Sequence, residues 1–159
     1  MTTVLADRFI DAGRFVIVTD VDDVAMMVCA PAAGAAGLWF AAHQAHGALV
    51  GQWMRSDADV VVSVGPTYTQ AEHEALFGQL PSQVRLLRVL IDAPLSATRE
   101  RVRADHRRGA SRERDFHEPA HAHYRALMSE IPADLTFDSG DITAARIAMS
   151  IYEATQLTD

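Results

Sequence analysis

The chain has 159 residues, room for one domain, and nearly half of them are apolar, enough to build a core. A formal net charge of −7 and a pI near 5.4 argue against a general nucleic-acid binder or a basic membrane-surface protein. The single Cys29 allows no internal disulfide, and no stretch reaches the roughly 20 apolar residues of a membrane span, so a reducing cytoplasm is the expected setting.

In chain order, the spacing of Val4, Leu5, Phe9 and Ile10 predicts a helix over Thr3–Ala12, which Thr2 or Thr3 can cap and Gly13 stops. Arg14–Asp20 is a short β-branched run that reads as a buried strand. Pro31 and Gly34 mark a loop, and Leu38–Arg55 follows as a long helix with Leu38, Ala42, Ala45, Leu49 and Trp53 along its inner face. A second buried strand spans Ala58–Val64 and is closed by Gly65-Pro66; Thr69 then caps a helix over Gln70–Phe77. The third strand is Val84–Asp92, and Leu95–Arg108 is a helix crowded with arginine. Pro119 opens a helix running to Met128, Asp134–Asp138 is the last strand, and Thr143–Gln156 is the last helix. Continuous apolar strands alternating with helices predict one α/β domain over residues 1–159, with a parallel sheet covered on both faces.

Ligands of such sheets collect outside the carboxyl ends of the strands. Those ends carry Asp20-Val21-Asp22-Asp23, Gly65-Pro66-Thr67-Tyr68 and Asp92-Ala93-Pro94. The aspartates can hold a hydroxyl-bearing substrate or a hydrated magnesium ion, or act as a base; equally, Asp20 can end its strand and cap the next element. Downstream, Arg99, Arg101, Arg103, Arg107, Arg108, Arg112 and Arg114 put half of the fourteen arginines into sixteen positions. Arginine binds phosphate through paired charge-assisted bonds, whereas the interleaved Glu100, Asp105, Glu113 and Asp115 would make the same segment a solvated, ion-paired helix. His106, His117, His121 and His123 surround it; His117 and His121 have the spacing of a zinc pair, but with no paired cysteine a polar lid over about 105–120 is the better reading. Cys29 reads as a small apolar residue, because no base or cation neighbours it in sequence.

In this order the elements resemble the P-loop kinase superfamily, specifically small-molecule kinases of the gluconate, shikimate and chloramphenicol phosphotransferase type. The likeness rests on Asp20-Val21-Asp22-Asp23, on the strand Ala58–Val64, on Leu90-Ile91-Asp92-Ala93-Pro94-Leu95 leading into Arg99-Glu100-Arg101-Val102-Arg103, and on Asp134–Ser139 before the final helix. It covers nearly the whole chain. It implies ATP and magnesium as cofactors and a small-molecule acceptor held by Asp20 and Asp22. Arg101, Arg107, Arg108 and Arg114 would meet the ATP phosphates, with Thr2 and Thr3 beside them and Thr2 and Asp22 on the metal.

One departure bears on activity. All fourteen basic positions are arginine, so the lysine of the G-x-x-x-x-G-K-[ST] phosphate loop is missing, and Thr2-Thr3 look like the residues that would follow it. The Ala30–Gly37 segment is a poor substitute, lacking lysine. The strand ahead of that loop is central in the family's sheet, so its absence leaves two edges to be paired, and an unfilled edge favours a dimer. Two readings follow: a kinase whose chain starts upstream, or a kinase-like domain that binds a nucleotide or other anion without turnover. For the polypeptide as written, efficient ATP-dependent phosphorylation is not expected.

Overall fold

Gly13 turns the chain out of its first helix, α1 (Thr2–Asp11), and toward its first strand, β1 (Val16–Asp20). Its φ of +76° is open to glycine, and it lets Gly13 N–H bond Ile10 O at 2.8 Å and Arg14 N–H bond Phe9 O at 3.0 Å, the paired bonds of a left-handed helix stop. The computed structural model describes residues 1–28, 37–104 and 112–156. Their contacts form two units, Met1–Leu86 with Ala148–Asp159, and Leu87–Ile147. The protein is mixed α/β, with parallel strands and flanking helices.

In the first unit, β1 runs parallel to β2 (Val60–Val64), with Val16 opposite Val60 and Asp20 opposite Val64. Helices α2 (Val21–Ala25), α3 (Trp39–Trp53) and α4 (Gln70–Phe77) belong to the same unit, as does α7 (Ala144–Gln156) from Ala148 onward. Leu5, Phe9, Val21, Val50, Leu76, Ala148 and Ile151 are buried there, and the Phe9 ring meets Tyr152 edge-on at 5.2 Å. In the second unit, β3 (Val89–Asp92) runs parallel to β4 (Leu135–Asp138), with Val89 opposite Leu135 and Asp92 opposite Asp138. Helices α5 (Leu95–Ala104) and α6 (Arg114–Leu127) lie between these strands in sequence.

Both pairs start with the same device. Asp59 Oδ2 accepts the Phe15 N–H at 2.8 Å while Phe15 O accepts the N–H groups of Asp59 and Val60; Arg14 stands 3.6 Å from the carboxylate. Asp134 Oδ2 accepts the Arg88 N–H at 2.7 Å, Arg88 O accepts from Asp134 and Leu135, and the Arg88 guanidinium grips Asp134 Oδ1 at 2.9 Å. In each case a carboxylate supplies a hydrogen bond where the ladder has run out of partners, and so marks the register.

Helix α3 turns a face toward its unit that apolar periodicity does not predict. Leu38, Ala45, Leu49 and Trp53 are exposed; Ala42 is buried as expected, and with it His43, His46, Gly47, Val50 and Gly51. Two glycines four apart permit the backbone of α4 to approach. A Cβ on Gly47 would stand 2.1 Å from Ala75 O, and one on Gly51 would stand 2.9 Å from Gln79 O.

Other expectations are corrected. One continuous sheet is replaced by two two-stranded sheets, and with one ladder neighbour per strand β2 is half-buried throughout. The third strand begins at Val89, not Val84, because the Arg88–Asp134 grip ends the ladder there. Helix α6 begins at Arg114, so Pro119 lies inside it, where the lost N–H and the ring's clash with the preceding turn cost about 3 kcal/mol or more. Met1, not Thr2 or Thr3, is the N-cap of α1, whose inner face is Leu5, Ala6 and Phe9 with Ile10 exposed. The Thr69 cap over Gln70–Phe77 is as expected, completed by Glu72 as a capping box. Cys29, the Pro31–Gly34 loop, His106, Arg107 and Arg108 lie outside the described residues.

Two outcomes follow. Gly47→Ala is expected to lower stability by about 1–3 kcal/mol in urea unfolding, because its methyl meets helix backbone rather than a movable side chain. Arg88 holds the Asp134 carboxyl below its ordinary value, chiefly by the side-chain bond and then by its backbone N–H. That stabilisation is complete above the ordinary aspartate range near 4 and is lost as pH falls through the lowered value. Asp134→Asn should therefore lower stability at pH 7 by about 1 kcal/mol and flatten this part of the acid-unfolding profile.

Candidate functional site

The carboxyl ends of β1 and β2 carry a compact polar layer. Asp20 Oδ1 accepts the Asp22 N–H at 2.9 Å and caps α2, so the aspartate run begins as a strand-to-helix turn. Asp22 and Asp23 are exposed on the first turn of that helix. Gly65, at φ +145°, lets the end of β2 pass against α2; a Cβ there would stand 2.2 Å from Val21 Cγ1. Beneath this turn lie two fully buried histidines of α3. His46 Nε2 is 2.7 Å from Thr19 Oγ1, and His46 Nδ1 is buried without a hydrogen-bond partner. His43 sits between two acceptors, Trp39 O at 3.0 Å and Pro66 O at 2.9 Å. Glu72 accepts the N–H groups of Tyr68 and Thr69 at 2.7 and 3.0 Å, and burial, helped by Glu72 and Asp22, pushes the Tyr68 hydroxyl up.

At the carboxyl end of β3 the side chains of α6 make three contacts from one face. His121 Nε2 donates to Ala93 O at 2.9 Å, Tyr124 Oη to Ile91 O at 3.1 Å, and Arg125 pairs with the buried Asp92. Ser139 closes the turn after β4 by donating from N and Oγ to Asp92 O. Arg101 then donates to Ser139 Oγ at 2.8 Å and to Ser139 O.

The remaining arginines converge. Arg99, Val102 and Arg103 share one face of α5; Arg112 precedes α6, and Arg114 and His117 lie on its first turns. These six residues line a cleft of about 20 Å³, room for one water-sized group. Thr98 Oγ1 spends its proton on Leu95 O at 3.0 Å, so it accepts from His117 Nε2 at 2.9 Å, which fixes the ring beside the cleft. Glu118 Oε1 meets Arg99 Nη2 and, at 2.9 Å, Arg114 Nε. Among the described residues the guanidinium groups of Arg99, Arg103, Arg112 and Arg114 thus come together along this cleft.

Compared with known protein families, curated proteins and solved structures, the chain matches none.

The structure therefore sorts the sequence candidates. Asp20 and Asp22 share one capped turn, with Asp20 Oδ1 spent on the cap. Arg114 lies in the cleft, whereas Arg101 is tied to Ser139. Thr2 is half-buried and Thr3 exposed, both on the first turn of α1. Among the described residues no group of three or more His, Cys, Asp or Glu side chains is gathered to hold a metal ion. His43 and His46 were not singled out by apolar periodicity, though their spacing with Gly47, Val50 and Gly51 draws one helical face.

Burial holds the His46 imidazole below its ordinary value, against the opposing pull of Asp20 and Asp23. A depressed histidine contributes stability that is complete above the unfolded value near 6.5 and is lost as pH falls below it toward the folded value. Stability measured by urea unfolding should thus decline below about pH 6.5, and His46→Gln should flatten that decline.

Proposed function

We propose that this chain is a phosphate-binding domain built on P-loop kinase-like topology, holding a phosphorylated small molecule in the α5–α6 cleft without transferring the phosphoryl group. The observation that carries this reading is the convergence of Arg99, Arg103, Arg112 and Arg114, with His117 fixed beside them, in a chain whose net charge is −7. An acidic protein gathers guanidinium groups against general attraction for solvent anions, and their planar forks suit phosphate oxygens.

Two parallel pairs, β1–β2 and β3–β4, support the topological part of the reading, since a kinase-like sheet without its central strand would leave such pairs. Two features support the absence of turnover by the polypeptide as written: it holds no lysine to neutralise a transferring phosphate, and one oxygen of Asp20 is occupied by the cap of α2. The nucleotide expectation makes ATP the natural phosphorylated ligand to try.

Calorimetric titration with ATP and with inorganic pyrophosphate tests the reading. Binding should weaken as salt rises, and Arg103→Ser and Arg112→Ser should each weaken it about three- to tenfold. Undiminished binding by the Arg103→Ser/Arg112→Ser double variant would refute the cleft as the site. Robust γ-phosphoryl transfer by this polypeptide to any small hydroxyl acceptor would refute the absence of turnover.

A further inference from the structure

We propose that two copies of this chain pair through the open edge of β2, antiparallel across a twofold axis at Val62, so that a single sheet runs β1, β2, β2, β1.

Strand β2 spends one edge on β1. That ladder starts with Val60 N–H on Phe15 O at 3.1 Å, and parallel pairing alternates, so Val60, Val62 and Val64 bond β1 while the N–H and C=O groups of Val61 and Ser63 face the other way. Among the described residues no hydrogen bond takes up those outward groups. The other pair shows an edge that the chain covers itself: an outward carbonyl of β3, Ile91 O, accepts from Tyr124 Oη at 3.1 Å. The free edge of β1 is guarded differently, since it runs into α2 and the carboxylates Asp20, Asp22 and Asp23. Strand β2 has no such guard. It carries neither charge nor proline, and no charged residue stands between Asp59 and Glu72.

Register and charge make a second copy the fitting occupant. Strands that pair edge to edge across a twofold axis run antiparallel and meet residue for residue. With the axis at Val62, Val61 lies opposite Ser63 of the second copy and exchanges both bonds with it, so every outward group of both strands is used. Neighbouring registers fail. An axis at Val61 would set Ser63 against Asp59, whose N–H is already spent on Phe15 O. An axis at Ser63 would set Val61 against Gly65, whose φ of +145° leaves the extended path. Charge agrees with the Val62 register. The acidic amino end of each strand meets the uncharged carboxyl end of the other, and Asp59 falls opposite Gly65 rather than opposite a second Asp59.

Sedimentation equilibrium of the wild-type chain should give a dimer, twice 17.3 kDa. Cysteines read the register, in a Cys29→Ser background. Val62→Cys puts two thiols at the axis, where a non-hydrogen-bonded antiparallel pair holds its Cα atoms about 4.5 Å apart, and mild oxidation should give a covalent dimer. Val60→Cys should not cross-link, because its two copies stand about 13 Å apart along the strands. Val61→Pro removes an outward N–H while leaving the β1 ladder whole, and should weaken the dimer about tenfold or more. A wild type that stays monomeric at high micromolar concentration overturns the proposal; Val61 and Ser63 amides protected from exchange in that monomer would assign the edge to another segment of the chain. Cross-linking of Val60→Cys as readily as Val62→Cys overturns it too, as does a dimer that Val61→Pro leaves undiminished. Should Val61→Pro not fold, wild-type mass and the two cysteine variants still decide the matter, because neither cysteine alters an outward backbone group.

Discussion

Each parallel pair in this protein is held in register by an aspartate that takes the backbone N–H just ahead of its partner strand. Asp59 does so for Phe15, and Asp134 for Arg88. A slip of one residue would send every strand side chain to the opposite face, so what stands at the carboxyl ends depends on these two bonds. With Asp59 in place, Thr19 lies opposite Ser63 and its hydroxyl meets His46. With Asp134 in place, Asp92 lies opposite Asp138, and Ser139 closes on the Asp92 carbonyl. The polar architecture at the far end of each pair is thus fixed from the near end.

The two units use their polar residues differently. In the first, carboxylates and imidazoles are mostly spent on backbone: Asp20 on a cap, Glu72 on two N–H groups, His43 between two carbonyls. In the second, backbone needs at the end of β3 are met by His121, Tyr124 and Ser139, while Arg99, Arg103, Arg112 and Arg114 gather along one cleft. Like charges gathered in this way repel unless an anion sits among them. Glu118, on α6 itself, offsets part of that repulsion where it meets Arg99 and Arg114.

Much of the secondary structure was legible in the sequence because it rests on local chemistry. Gly13, Thr69 with Glu72, and the β-branched run ending at Asp20 each carry their own signal. What was not legible depends on contacts distant in sequence. The inner face of α3 is chosen by how closely α4 approaches Gly47 and Gly51, a steric fact that apolar counting along one helix does not contain. The start of β3 is chosen by Asp134, 46 residues away. The arginine cluster was visible, but the sequence could not say that Arg101 would face Ser139 while Arg99, Arg103, Arg112 and Arg114 faced a common space. Interleaved acids suggested a solvated helix, and an acid outside that set, Glu118 of α6, is the one that meets Arg99 and Arg114.

The near-equal spans of the two aspartate bonds have a kinetic meaning. One joins residues 44 apart and the other residues 46 apart, so their loop-closure costs differ by only about 0.04 kcal/mol. Closure entropy therefore does not decide which pair is the more durable; buried apolar surface does. Among the described residues the first unit buries Leu5, Phe9, Val21, Val50, Leu76 and Ile151, whereas in the second the buried apolar residues are Ala93 and Ile147. Amide hydrogens of β1 and β2 are then the ones that exchange last, and those of β3 and β4 open in a smaller, earlier event that leaves the first pair protected. The arginine cleft belongs to the unit that opens early, so a bound phosphate would slow exchange there first.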